Sequence, residues 1–310
     1  NGARITNTVG SAIMNYGSSK VTINSGTVIE SAANCINNQG NGTTLEVNGG
    51  NFTSLRDYPA VYNNGKAYIH GGTFTSQGSV IANNGAELIV DEESAETVIS
   101  NTNMEERGGV RCDGTGKTEI NGGTIKGAAY GIWVRNGSPN VTLKNADQLG
   151  ETYNVYLSKN QKITIDDAYT KEVTVKCADP YDQRPITNAT TGTNQKELNI
   201  KLMDEDYLVG YKTKDGKEYR CLSKKVGVTI EDLENAVIKE GESKNFTVKV
   251  DPKGDAKLGE AIIDFGDKNS EIEYKDENGE YKPMPEGGLK INLGDGETKH
   301  EFRIAPKETG

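Results

Sequence analysis

The chain has 310 residues, a formal net charge of −10, 34% hydrophobic and 6% aromatic residues, and 37 glycines. An acidic balance argues against a nucleic-acid backbone as partner, and no stretch approaches the roughly 18 consecutive apolar residues of a membrane span. So little apolar matter is lean for a helical domain and suits a narrow core stacked many times, with turns taking much of the chain.

From the N-terminus, one short phrase recurs. It reads Val21-Thr22-Ile23-Asn24-Ser25-Gly26-Thr27-Val28, then Leu45-Glu46-Val47-Asn48-Gly49-Gly50-Asn51-Phe52-Thr53, then Ala67-Tyr68-Ile69-His70-Gly71-Gly72-Thr73-Phe74-Thr75. Further copies stand at Thr118-Glu119-Ile120-Asn121-Gly122-Gly123-Thr124-Ile125, Val141-Thr142-Leu143-Lys144 and Ile163-Thr164-Ile165-Asp166. Anchored on Ile23, Val47, Ile69, Val90, Ile120, Leu143 and Ile165, the steps are 24, 22, 21, 30, 23 and 22 residues. A period near 22 with no helical pattern predicts a β-solenoid.

Within each coil, apolar residues alternate with polar ones, so Val21 and Ile23 point inward and Thr22 and Asn24 outward. A second inward position after the glycine turn is predicted at Val28, Phe52, Phe74 and Ile125. A third falls at Ile36, Val61, Ile81, Val110, Ile132 and Val155. Asn-rich corners follow: Met14-Asn15-Tyr16-Gly17, Asn37-Asn38-Gln39-Gly40, Tyr62-Asn63-Asn64-Gly65 and Ala82-Asn83-Asn84-Gly85. Asn and Gly tolerate the left-handed backbone of a bend, and stacked Asn side chains can bond the neighbouring coil as an amide ladder. These asparagines read as structural.

From about residue 5 to residue 177 the chain resembles the right-handed parallel β-helix proteins, the pectate-lyase-like superfamily broadly defined. Its I-x-x-G-G-T-F phrases resemble the short-coil repeats of large surface proteins of gut bacteria. The resemblance implies a right-handed parallel β-helix of about seven coils, on a fold that hosts lyases, hydrolases and non-catalytic adhesins alike.

The step of 30 residues between Val90 and Ile120 implies an insertion. It carries Asp91-Glu92-Glu93-Ser94 and Asn103-Met104-Glu105-Glu106-Arg107, and is expected to be an acidic, solvated bulge. Past Cys177 the repeat is expected to end. Residues 178–225 read as a β-hairpin cap, with Lys214-Asp215-Gly216-Lys217 turning between Tyr207–Tyr211 and Glu218–Leu222. Residues 226–310 carry alternating runs at Val226–Ile230, Phe246–Val250, Ala261–Phe265, Leu289–Leu293 and His300–Ile304, separated by Glu240-Gly241, Asn278-Gly279 and Asp295-Gly296. They predict an antiparallel β-sandwich resembling the immunoglobulin-like modules of bacterial surface proteins. The domains are thus 1–177, 178–225 and 226–310, all β.

None of the four cysteines, Cys35, Cys112, Cys177 and Cys221, forms a C-x-x-C pair, so no zinc site is read from them. Cys35 and Cys112 are expected as single buried thiols, while a disulfide between Cys177 and Cys221 stays open. No motif asks for a cofactor, and no residue set reads as a metal site.

For catalysis, His70 beside Asp91, with Glu119 nearby, is the one constellation resembling acid–base machinery. An incidental surface ion pair explains it as well. For binding, the residues after the third inward strand form an outward row that includes Tyr62, Arg111, Trp133 and Tyr156, and it carries the single Trp of the chain. Aromatic faces and Arg are what a sugar ring stacks on and bonds to. The register at Ile132-Trp133-Val134 is ambiguous, so Trp133 inward and Val134 outward is the alternative. The expectation is a non-catalytic bacterial cell-surface protein, extracellular, a fragment of a longer chain, binding a glycan or host-surface ligand through this row. The alternatives are a polysaccharide lyase or glycoside hydrolase, and a structural stalk.

Overall fold

A computed structural model describes residues 2–306 apart from 104–106, 168, 182, 189–197, 225–226, 234–236, 240, 252–259, 267–269 and 293–297. Every regular element among them is a strand. The chain forms a parallel β-solenoid of about eight turns, rather than the expected seven, followed by antiparallel sheets. It divides into two compact units, residues 1–222 and 223–310.

The solenoid has two long parallel sheets, of 12 and 9 strands. The first runs through Thr44–Ser54, Lys66–Ser76, Glu87–Val90, Lys117–Asn121 and Asn140–Asn145; the second through Ile36–Asn38, Val61–Asn63, Ile81–Asn83, Gly108–Cys112, Tyr130–Val134, Tyr153–Leu157 and Val173–Cys177. Repeated phrases pair in register: Ile23 with Val47, Val47 with Ile69, Ile69 with Val90, and Val90 with Ile120. All are buried and belong to one continuous core.

The glycine pair in each phrase has a backbone cause. Gly50 and Gly72 adopt φ of 116° and 121°, which favours glycine. A Cβ on Gly72 would lie 3.0 Å from the Gly50 carbonyl oxygen of the coil below. The bend reorients the strand, and the register shifts around Asn48 and Asn51. Beyond it, Phe52 and Phe74 stack inside with centroids 4.6 Å apart, as one coil on the next requires.

That second column needs two corrections. Val28 pairs with Asn51, while Ile29, fully buried, pairs with Phe52 and holds the inward place expected of Val28. The glycine bend is one residue longer there, and a one-residue slip exchanges the two faces. The long step between Val90 and Ile120 is also more than a solvated bulge. Thr97–Asn101 is a strand pairing with residues 72–76 and 124–126, and puts Ile99 in the column between Phe74 and Ile125. Residues 104–106 of that expected bulge lie outside the described residues.

The amide ladder is present and buried. Asn15 donates to Asn38 (2.7 Å), Asn38 to Asn63 (2.7 Å) and Asn63 to Asn83 (2.8 Å), and Asn83 hands its Nδ2 on to the Thr118 hydroxyl (2.9 Å).

The parallel pairing does not stop at Cys177. Ile200–Leu202 pairs with Val173–Val175 and extends the second sheet by one more strand. Arg184, fully buried, donates to the carbonyl oxygens of Ser158 (2.7 Å) and Asp179 (2.9 Å), satisfying acceptors near the end of the stack. The expected hairpin follows as Tyr207–Lys214 and Lys217–Lys224, turning at Asp215 and Gly216 with φ of 53° and 70°. Ile186, Leu198 and Leu222 pack into the solenoid core, so the cap and the solenoid form one compact unit. All four cysteines are buried thiols, and Cys177 and Cys221 are not bridged.

In residues 223–310, a five-stranded antiparallel sheet has the order Gly227–Glu231, Lys244–Asp251, Thr298–Pro306, Ser270–Lys275 and Tyr281–Pro283. Glu260–Ile263 and Leu289–Asn292 make a second, two-stranded sheet. Phe246, Val248, Val250, Phe302 and Ile291 bring the two sheets to one core. The expected strands match, with Ser270–Lys275 and Tyr281–Pro283 added. Val226, Glu240, Leu293 and Asp295-Gly296 lie outside the described residues.

Candidate functional site

The outward row stands in register on the second sheet. Asn37 pairs with Tyr62, Tyr62 with Ala82, Ala82 with Arg111, Arg111 with Trp133, Trp133 with Tyr156, and Tyr156 with Lys176. Val134 is fully buried and Trp133 only partly, so Trp133 faces outward and the inverted alternative is excluded.

Ala82 splits the row. It has no exposed area although it occupies an outward place, flanked by the larger Tyr62 and Arg111. Tyr62 stands across Ala82 from a denser group formed by Arg111, Trp133 and Tyr156, near enough to act on the Arg111 guanidinium.

That group is larger than the sequence reading had it. Tyr130 stacks on Tyr156 at 4.4 Å and 9°, lies 5.7 Å from the Tyr153 ring, and meets Trp133 edge-on at 6.3 Å. A simple alternation from Ile132 would put Tyr130 inside. Gly131 breaks it: a Cβ there would fall 2.7 Å from inward-facing Leu149, so Gly131 and Ile132 both face the core and Tyr130 turns to the outward aromatics, which cover it to 3% exposure. The Gly between Tyr130 and Ile132 was the available signal.

Charged groups frame the aromatics. Arg111 Nε donates to Asp113 (3.0 Å), and Arg135 donates to both oxygens of that carboxylate (2.7 and 3.1 Å). Arg135 also lies over the Trp133 ring at 5.5 Å, and Lys176 over Tyr153 at 5.0 Å. Burial pulls the Arg111 guanidinium below its ordinary range, opposed by Asp113. Trp133 Nε1 donates to the Ser158 hydroxyl (3.0 Å), which fixes the indole plane. The result is a rigid aromatic surface edged by three cations, two of them sharing one carboxylate.

The acid–base constellation is only partly assembled. His70 Nδ1 lies 2.9 Å from Asp91 Oδ1. Glu119 instead binds Lys117 and Lys144, each at 3.0 Å. Burial raises the Glu119 carboxyl, but the two lysines prevail and hold it below the usual carboxylate range. A carboxylate held ionised by two ammonium groups is a poor proton donor.

Compared with known proteins, the chain matches no family model, no curated protein and no solved structure.

Proposed function

We propose that the solenoid is a non-catalytic binding module of a bacterial cell-surface protein, taking carbohydrate or a glycan-bearing host surface on its outer face. The observation that carries this reading is the cluster of the partly exposed Trp133, Tyr153 and Tyr156, packed on the buried Tyr130 and edged by Arg111, Arg135 and Lys176. A sugar ring presents C–H faces to aromatic planes and hydroxyls to guanidinium groups, and a surface already held by stacking loses little entropy on binding. Solenoid coils followed by antiparallel sheets suit a chain that displays such a face away from a cell, with residues 226–310 as an immunoglobulin-like spacer. The lyase or hydrolase reading is weaker, because Glu119 is neutralised by two lysines.

A glycan array on the intact chain, followed by Trp133→Ala and Tyr62→Ala, tests the proposal. A bound glycan should lose about 0.5–1.5 kcal/mol of affinity with Trp133→Ala. Tyr62, three strands from Trp133 in the row, should matter less. Binding that is indifferent to Trp133→Ala would reduce the row to a covering of the sheet, and a bare array would leave the stalk.

A further inference from the structure

The extra residues of the long coil build a feature that lies apart from the aromatic cluster. Ile69 and Phe74 are five positions apart, whereas Val90 and Ile99, at the same two places one coil later, are nine apart. The wider corner is tied back over the preceding coil, since the backbone N–H groups of Ser94 and Ala95 both donate to the His70 carbonyl oxygen, at 2.8 and 3.0 Å. This places two carboxylates beside one imidazole. His70 Nδ1 lies 2.9 and 3.1 Å from the two oxygens of Asp91 and 4.0 Å from Glu93 Oε2. One donor atom from each of the three side chains lies within 4.8 Å of the other two.

We propose that His70, Asp91 and Glu93 form a binding site for a divalent transition-metal cation of the zinc class. An ion pair accounts for His70 with Asp91 alone. Glu93, whose own N–H donates to Asp91 Oδ1 (3.2 Å), adds a second carboxylate 4.0 Å from the same nitrogen, and even a protonated imidazole neutralises only one of the two negative charges. A dication with a neutral imidazole and two carboxylates balances in full.

The spacing suits such an ion. With zinc–nitrogen and zinc–oxygen bonds of about 2.0–2.2 Å, ligand atoms of a tetrahedral site are roughly 3.3 Å apart. The observed 2.9 and 4.0 Å straddle that length. The side chains of His70 and Asp91 are 21% and 11% exposed and held in place, whereas that of Glu93 is 77% exposed and free to close the last gap. The imidazole ligand selects against calcium and magnesium, which take oxygen donors. Three protein ligands leave a fourth position for water or a ligand group. The site is on the first sheet and stands whether or not the aromatic cluster on the second sheet binds glycan.

The test is titration of the chelator-treated full chain with Zn²⁺ by calorimetry and with Co²⁺ by visible absorption. One equivalent of each should bind, and the cobalt spectrum should show d–d bands without thiolate charge transfer. Loss of an outer partner alone lowers metal affinity about 10–100-fold, so His70→Ala should lower it by about 100-fold or more. Glu93→Gln, on an exposed turn that leaves the fold intact, should also weaken binding. His300→Ala, which changes the one other histidine, should not. Thermal melts of each variant separate lost binding from lost folding. The proposal is overturned by absence of stoichiometric binding, by a thiolate band, by preference for Ca²⁺, or by binding that survives both His70→Ala and Glu93→Gln.

Discussion

One inward column of the second sheet is built in two ways. In the first four coils it is Asn15, Asn38, Asn63 and Asn83; in the next four it is Cys112, Val134, Leu157 and Cys177, paired in the same register without a break. The first half is held by amides, each donating to the next. The second half is held by apolar contact within the core. A buried amide is tolerable only if its partner recurs one coil away, and the coil repeat supplies it because the 4.8 Å spacing lets an amide reach the next in line. Where the identical residue is not repeated, an apolar side chain is the remaining solution, and Thr118 closes the ladder at the junction. The outer face differs as well, since the aromatic cluster stands over the apolar half.

The largest effect should come from a column with no polar partner at all. Phe74→Asp sets a carboxylate between Phe52 and Ile99 in the core, and should unfold residues 1–222, read as loss of the β-sheet circular dichroism signal. Tyr68→Asp, on the outer face of the same strand, should cost about 1 kcal/mol or less.

Next in size, Asn63→Val breaks the ladder at its middle. It removes the donors that Asn63 offers to Asn83, to Gly65 and to the Glu87 carbonyl oxygen. Each orphaned buried group costs about 1–3 kcal/mol, so a loss of roughly 3 kcal/mol or more is expected in urea unfolding. A loss below about 1 kcal/mol would mean the ladder follows from the fold rather than supporting it.

The apolar half should respond to the reverse change. Val134→Asn places an amide among Cys112, Leu157 and their neighbours, with an expected cost of about 2–3 kcal/mol. Cys112→Asn is the smaller counterpart. It lies beside Asn83 and Thr118, where an amide can join the existing ladder, and should change stability by no more than about 1 kcal/mol. Equal losses for the two would show that the ladder cannot be extended by a coil.

The last effect is absent at neutral pH and confined to alkali. Burial pushes the thiols of Cys35 and Cys112 up to about 12 and that of Cys177 up to about 11 from an ordinary 9.0. The folded chain therefore keeps protons that the unfolded chain gives up. This contribution to stability is complete below about pH 9 and is lost as pH rises through 11 to 12. Urea midpoints at pH 7 and pH 10.5 should show the decline, and Cys112→Val with Cys177→Val should make it shallower.

By itself, the sequence determined the period, the all-β class, the first and third inward columns, the outward row and the Asp215-Gly216 hairpin. Each rests on a local cause that repeats: alternation of period two, glycine at left-handed bends, and one residue type recurring every coil. What only the tertiary structure decided begins where that alternation is interrupted. Ile29 instead of Val28 and Tyr130 turned by Gly131 follow from single-residue adjustments that change which face a side chain takes, and Ile99 inside a supposed loop follows from a corner four residues longer. The same holds for partners across coils. Glu93 meets His70 because an extended corner is folded back onto the preceding coil, and Glu119 is claimed by Lys117 and Lys144. Composition and period are indifferent to such meetings, since a side chain's partner depends on register to one residue, and register is set by the packing of the whole stack.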